Sequence, residues 1–158
     1  MAARAHDLYT KIAWTATVAS VSAPTVANLT AGTDLSTLVA KDGLKVPTQH
    51  NTVDLGTIAS NFDSRGPGTF GGDIEMIGFR DDTADTFWDL CVFGTVGYII
   101  VRRLELYSGA WAASDKVEVY PVTMHQPVPM DTATNEAIKF KMLFPVRSTP
   151  ELKAVVAA

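Results

Sequence analysis

The sequence predicts a mainly β protein, a β-sandwich or partly closed barrel with one flanking α-helix, a long inter-strand loop and extended termini. Three observations carry this. Ile138, Phe140, Met142 and Phe144 alternate with Lys139 and Lys141, the period of a half-buried strand. Tyr98 to Val101 is a continuous apolar run that fits a strand covered on both faces. Helical spacing is confined to Thr83–Phe93, where Ala84, Phe87, Trp88, Cys91 and Val92 fall on one stripe.

Taken in order, residues 1–22 have the outline of a secretory signal, with Arg4 near the start and Val21-Ser22-Ala23 before Pro24. Asp7 and Lys11 sit where the charge-free run should begin, and Thr15, Thr17 and Ser20 dilute it. Ile12, Trp14, Ala16 and Val18 alternate instead, which predicts a retained extended arm or edge strand. Pro24–Asp34 reads as a loop and Leu35–Ala40 as a short strand, closed by a turn at Lys41–Gly43. Residues 41–72 are rich in Gly, Pro, Thr, Ser, Asn and Asp, so a long loop is expected, with only Val53–Leu55 and Ile58 suggesting a brief strand inside it.

Phe70–Arg80 is a strand whose apolar parity changes from Ile74 and Met76 to Ile77 and Phe79, predicting a bulge or change of face beside Gly78. Asp81, Asp82 and Asp85 crowd the start of the helix, and Gly94 follows its end. Strands follow at Tyr98–Leu106 and Lys116–Val122, the latter with Val117 and Val119 inward, Glu118 outward and Pro121 at an edge or bulge. Gln126–Asp131 is a proline-broken loop, and residues 147–158 form a C-terminal tail with one helical turn at Pro150–Val156. With neither an internal repeat nor a linker, residues 1–158 are expected to form a single domain.

Charge and composition narrow the function. Net charge is −4, and the whole deficit lies after residue 72. The only basic pair, Arg102-Arg103, is split by strand alternation between two faces, so a nucleic-acid grip is not expected. The hydrophobic share of 47% suits a subunit that buries surface against neighbours. A single cysteine, Cys91, excludes an internal disulfide and reads as a small buried hydrophobe. No stretch approaches the ~18 apolar residues of a membrane span.

Catalytic patterns are missing too. His6, His50 and His125 are far apart in sequence, without Cys or carboxylates at ligand spacing. Asp81, Asp85 and Asp89 share a helix face but lack the Gly-centred alternation of a calcium loop. No Ser lies in a G-x-S-x-G turn, and Ser64–Gly68 lacks the spacing and Lys of a phosphate loop. Asp73 and Glu75 share the solvent parity of one strand, with Lys139 and Lys141 as cross-strand partners. No enzyme activity, metal or cofactor is expected.

A set of short phrases, in order, carries more information than any one of them. These are Ala23-Pro24-Thr25-Val26-Ala27, Thr30-Ala31-Gly32-Thr33-Asp34, Thr52-Val53-Asp54, and Asp82-Thr83-Ala84 with Leu90. Gly94-Thr95-Val96-Gly97-Tyr98-Ile99-Ile100-Val101-Arg102 and Trp111-Ala112-Ala113-Ser114-Asp115-Lys116-Val117-Glu118-Val119-Tyr120-Pro121-Val122 follow. Over Ala23–Phe144 this order resembles the major tail (tail tube) proteins of long-tailed bacteriophages, nearest those of actinobacterial phages. The resemblance implies a virion protein, made in the host cytoplasm, that assembles into hexameric rings stacked as a tube. Its partners would be copies of itself, the tape-measure protein, and the tail terminator and tail tip proteins, with DNA only in transit. Asp73 and Glu75 would face the lumen. The long loop, with Lys41, Asp42, Lys45, Gln49, His50, Asp54 and Arg65, would make inter-ring or inter-subunit contacts. The residues alone also fit a β-sandwich binding or adhesion module, or a virion decoration protein. A small hydrolase with substrate in a barrel mouth fits less well.

Overall fold

The alternating segments pair as their periods require. In the computed structural model, which describes residues 8–46, 48–59 and 61–158, two sheets face each other across a shared core. The elements are β1 (Lys11–Thr15), α1 (Val26–Thr30), β2 (Thr33–Asp34), β3 (Val39–Lys45), β4 (Thr48–Asp54) and β5 (Arg65–Phe79). Then come α2 (Thr86–Leu90), β6 (Val96–Arg102), β7 (Lys116–Thr123), β8 (Val128–Pro129), β9 (Lys139–Pro145) and β10 (Glu151–Val155). Sheet I has the order β10-β7-β6-β1-β2; sheet II has β3-β5-β9-β8, with β4 pairing the first half of β5.

Between the sheets, Ile12, Trp14, Ile99, Val101, Tyr120 and Val122 meet Ile74, Met76, Phe140, Met142 and Phe144. Truncating one of these phenylalanines would cost about 3–5 kcal/mol. Behind sheet I lies a second cluster, in which Ala13, Ile100, Val117, Val119 and Ala154 pack with Leu29, Trp111 and Val156. Both faces of β7 are therefore covered. Glu118, expected to point to solvent, is half-buried at the rim of the main core, where it accepts two hydrogen bonds from Arg103 and one from the Tyr120 hydroxyl.

The sheets join along one side without closing into a barrel. The chain leaves β7 and bends beside β9, with a Val122–Val146 bridge, a His125 N–Leu143 O bond of 3.1 Å, and then the β8–β9 pair. Pro121 sits inside β7 and not at its end. Its carbonyl accepts from Arg147 N at 2.9 Å, so its ring nitrogen faces that side as well and no rung to β6 is lost.

Several expectations change. Lys11–Thr15 is not an edge arm but a strand between β6 and β2. Pro24–Asp34 contains α1, whose Thr25 hydroxyl caps Asn28 N at 3.2 Å while Thr25 N reaches back to Asn28 Oδ1 at 3.4 Å. The helix of Thr83–Phe93 shrinks to α2, because Asp81 Oδ1 accepts from both Thr83 N and Ala84 N and holds that stretch in a turn. Val92 is exposed, while Gly94 adopts the left-handed backbone (φ 81°) foreseen for a glycine there. The helical turn expected at Pro150–Val156 is strand β10, paired with β7.

The irregularity expected beside Gly78 lies in the pairing with β3, between Val39–Gly78 and Leu44–Met76, while β5 itself does not change face. Its register with β9 is unbroken from Asp73–Pro145 to Phe79–Lys139. Gly78 keeps the inward parity of Ile74 and Met76 because the Phe87 ring occupies the space above it. A Cβ there would lie 2.5 Å from that ring. Phe87 in turn meets Phe140 edge-on, with ring centroids 5.0 Å apart.

Residues 41–72, expected to be mostly loop, are largely β structure. After β3, strand β4 pairs with the first half of β5 from Thr48–Gly72 to Asp54–Arg65, forming a hairpin arm beyond the sandwich. A Leu55 N to Ser64 O bond of 2.7 Å extends the pairing towards its tip.

Candidate assembly surfaces

Sheet I is covered on both faces; sheet II is covered on one. The outward face of sheet II carries Asp73, Glu75, Ile77 and Phe79 from β5, Lys139, Lys141 and Leu143 from β9, and Lys45 from β3. Glu75 bonds Lys141 Nζ at 2.8 Å and lies 3.6 Å from Lys45 Nζ. Asp73 is exposed one inward residue away. The face is thus close to neutral, with alternating charge and flanking apolar side chains.

The other predicted contact residues divide into two groups. Lys41, Asp42 and Lys45 belong to β3, on the body. Gln49, His50 and Asp54 lie on β4, with Arg65 opposite Asp54, so these four belong to the arm. His50 stacks obliquely near Phe70, centroids 6.4 Å apart, and Asn51 Nδ2 bonds Thr69 Oγ1 at 3.0 Å. The expected contact residues are all polar or charged, whereas the arm also exposes large apolar side chains, Val53, Leu55 and Ile58 among them, that the sequence marks only as a brief strand. Leu55 is 57% exposed, Ile58 completely so, and Val53, Phe62 and Phe70 are exposed as well. Isolated large hydrophobes within a Gly-, Ser- and Asn-rich segment were the available signal.

Other candidate chemistry dissolves into local structure. Among the described residues no group of three potential metal ligands comes together. His6 lies outside the described residues. Asp85 pairs with Arg80, which also stacks 3.9 Å over the Trp88 ring. Hydrogen bonds from the Thr83 and Ala84 amides hold the Asp81 carboxyl below its usual range. Burial pushes the Cys91 thiol up to about 12, so it stays protonated and inert as expected. Among the described residues, no helix is long and apolar enough to cross a membrane.

Glu75 yields a pH prediction. The hydrogen bond from Lys141 lowers its carboxyl below the ordinary value, against an opposing effect of partial burial. A depressed folded-state pKa adds stability above the unfolded value of about 4.3, lost as pH falls through the folded value. Thermal melts between pH 6 and 3 are expected to show falling stability at the acid end, and Glu75→Gln should flatten part of that fall. Identical slopes for the two proteins would mean that Glu75 gains nothing from its lysines.

Comparison with known proteins adds to this geometry. A family model described as "Phage tail tube protein" matches residues 2–158. No curated protein matches the chain. Among solved structures, the chain is similar to one from the tail of an empty GTA particle, computed with helical refinement and C6 symmetry. The TM-score is 0.53 at 16% identity, covering 97% of this chain and 100% of that one. That likeness establishes the same fold, and the family match covers nearly the full sequence. The chain therefore belongs to the phage tail tube protein family, as a structural component of the virion tail.

Proposed function

We propose that residues 1–158 act as one tail-tube domain, six copies of which form a ring, and that rings stack head-to-tail into the tube. The observation that carries this reading is the one-sided exposure of sheet II, whose order leaves β3 and β8 at its edges. Unpaired edges need cover or partner strands, and a closed ring of sheets supplies them. Outward faces of sheet II would then line the lumen, with Asp73 and Glu75 among the lining residues. Pairing of Glu75 with Lys45 and Lys141 supports a surface along which DNA and tape-measure protein slide without being gripped. The projecting arm, with Gln49, His50, Asp54 and Arg65, would contact neighbouring subunits or rings, while Lys41, Asp42 and Lys45 act from the body.

In this reading the subunit is made in the host cytoplasm, and tail terminator and tail tip proteins cap the tube during assembly. The phrases Gly94–Arg102 and Trp111–Val122, which fall on β6 and β7, support kinship with tubes of actinobacterial phages. Negative-stain electron microscopy of the purified chain is expected to show rings and tubes of uniform width. A strict monomer at high concentration would refute the reading. A ring reconstruction with Asp73 and Glu75 on the outer surface would refute the lumen assignment alone.

A further inference from the structure

We propose that the groove between the arm's base and the C-terminal segment seats the arm tip of a second copy of this chain. The inference rests on the tail-tube reading and adds to it the receptor for the arm. Ile74 and Tyr120 form the floor, both essentially buried, and Val46, Phe70, Val146 and Pro150 form the walls. The cavity holds about 470 Å3 and shares Val46, Phe70, Tyr120 and Pro150 with an adjoining hollow of about 450 Å3. Each is within the roughly 300–1,000 Å3 of hollows that bury a bound group.

The tip offers what such a groove takes. Leu55 and Ile58 extend from the turn between β4 and β5 with more than half of their surface in solvent. A tip cannot fill the groove of its own chain. The β4–β5 rungs from Thr48–Gly72 to Asp54–Arg65, irregular only between His50 and Thr52, tie the two strands together, and seven strand residues at about 3.4 Å each carry the tip up to ~24 Å from the arm's base.

Asp73 and Arg147 both line the groove, and charge favours the pairing on the Arg147 side. Asp54 and Asp63 flank the tip. Arg147, on the groove wall, bonds the Tyr98 hydroxyl at 3.3 Å, stacks 5.5 Å from that ring, and forms no salt bridge among the described residues. An arriving Asp63 would give it a carboxylate partner. Because knob and groove lie at different places on one chain, the contact is head-to-tail and propagates from copy to copy.

Two single-cysteine additions test the pairing, Ile58→Cys on the tip and Thr149→Cys on the groove's exposed rim. Buried Cys91 is retained. The two proteins are mixed, allowed to assemble, oxidised mildly and run on non-reducing gels, with Ser108→Cys replacing Thr149→Cys as the collision control. The tip–rim disulfide dimer is expected to form at least ~10-fold faster than the control dimer, as intramolecular-like proximity allows. In parallel, Arg147→Glu should lower assembly about tenfold and Asp63→Lys should restore it. Tubes that form without excess tip–rim dimer, and without charge-swap rescue, would overturn the groove assignment and leave the tube reading intact. Unmodified protein that forms neither rings nor tubes would sink both.

Discussion

Replacing Ile58 with Asp is expected to abolish tube formation at concentrations where the unmodified chain assembles, while the subunit melts as before. Ile58 is completely exposed in the isolated chain, so the substitution removes no internal contact. Surface changes of this kind stay within about 0.5 kcal/mol of neutral. Assembly is a different matter. With Arg147 taken by Asp63, a second carboxylate carried onto the apolar floor of Ile74 and Tyr120 costs at least about 3 kcal/mol, which is on the order of a hundredfold in each association constant. Every subunit in a ring bears the same loss, so the concentration needed for tubes rises at least that far. Ile58→Val, which keeps an apolar knob, should assemble almost normally. Pelleting by ultracentrifugation measures assembly, and circular dichroism melting checks the subunit. Normal tubes from Ile58→Asp would remove the arm from the assembly contacts altogether.

The arm also shows where sequence reading stops. Strands β6, β7 and β9 were legible because burial imposes a pattern: Phe140, Met142 and Phe144 must face the core, so Lys139 and Lys141 must not. The β4–β5 arm has solvent on both faces, so nothing selects an alternation, and its strands are held by backbone rungs that leave no mark in residue type. Strand β10 escaped notice for a related reason. Of Glu151–Val155 only Ala154 is buried, too small a residue to give a periodic signal. Gly78 misled because an apparent parity fault was a close contact with Phe87, a partner in α2 that no local pattern announces. Among the candidate site residues, the shared outward parity of Asp73 and Glu75 was readable from spacing alone. The lysine from β3 that also approaches Glu75 was not, because its register depends on an irregular β3–β5 pairing.

Asp115→Ala is expected to destabilise the subunit by about 3–5 kcal/mol, because it strands a buried guanidinium. Arg102 ends β6 with its side chain 1% exposed and directed behind sheet I. Nη1 donates to Asp115 Oδ2 at 2.6 Å and to the Ala110 carbonyl at 2.9 Å; Nη2 donates to the carbonyls of Leu106 and Gly109 at 2.9 and 3.0 Å. The irregular segment between β6 and β7 is thus wrapped around one cation, with Trp111 stacked 5.1 Å from it. Asp115 also accepts from Ala112 N at 3.0 Å, so the alanine loses a turn contact as well as the counter-charge. Glu105, 3.9 Å from Nη1 but mostly in solvent, is too screened to substitute. Asp115→Asn should cost about half as much, since its amide oxygen can still accept from Ala112 N while the charge is gone. Denaturant titration of the unassembled subunit reads both values as a fall in midpoint at constant slope. A loss under about 1 kcal/mol for Asp115→Ala would show that solvent reaches the guanidinium once its partner is removed. The carbonyl ring, not the ion pair, would then be what orders the segment leading into β7.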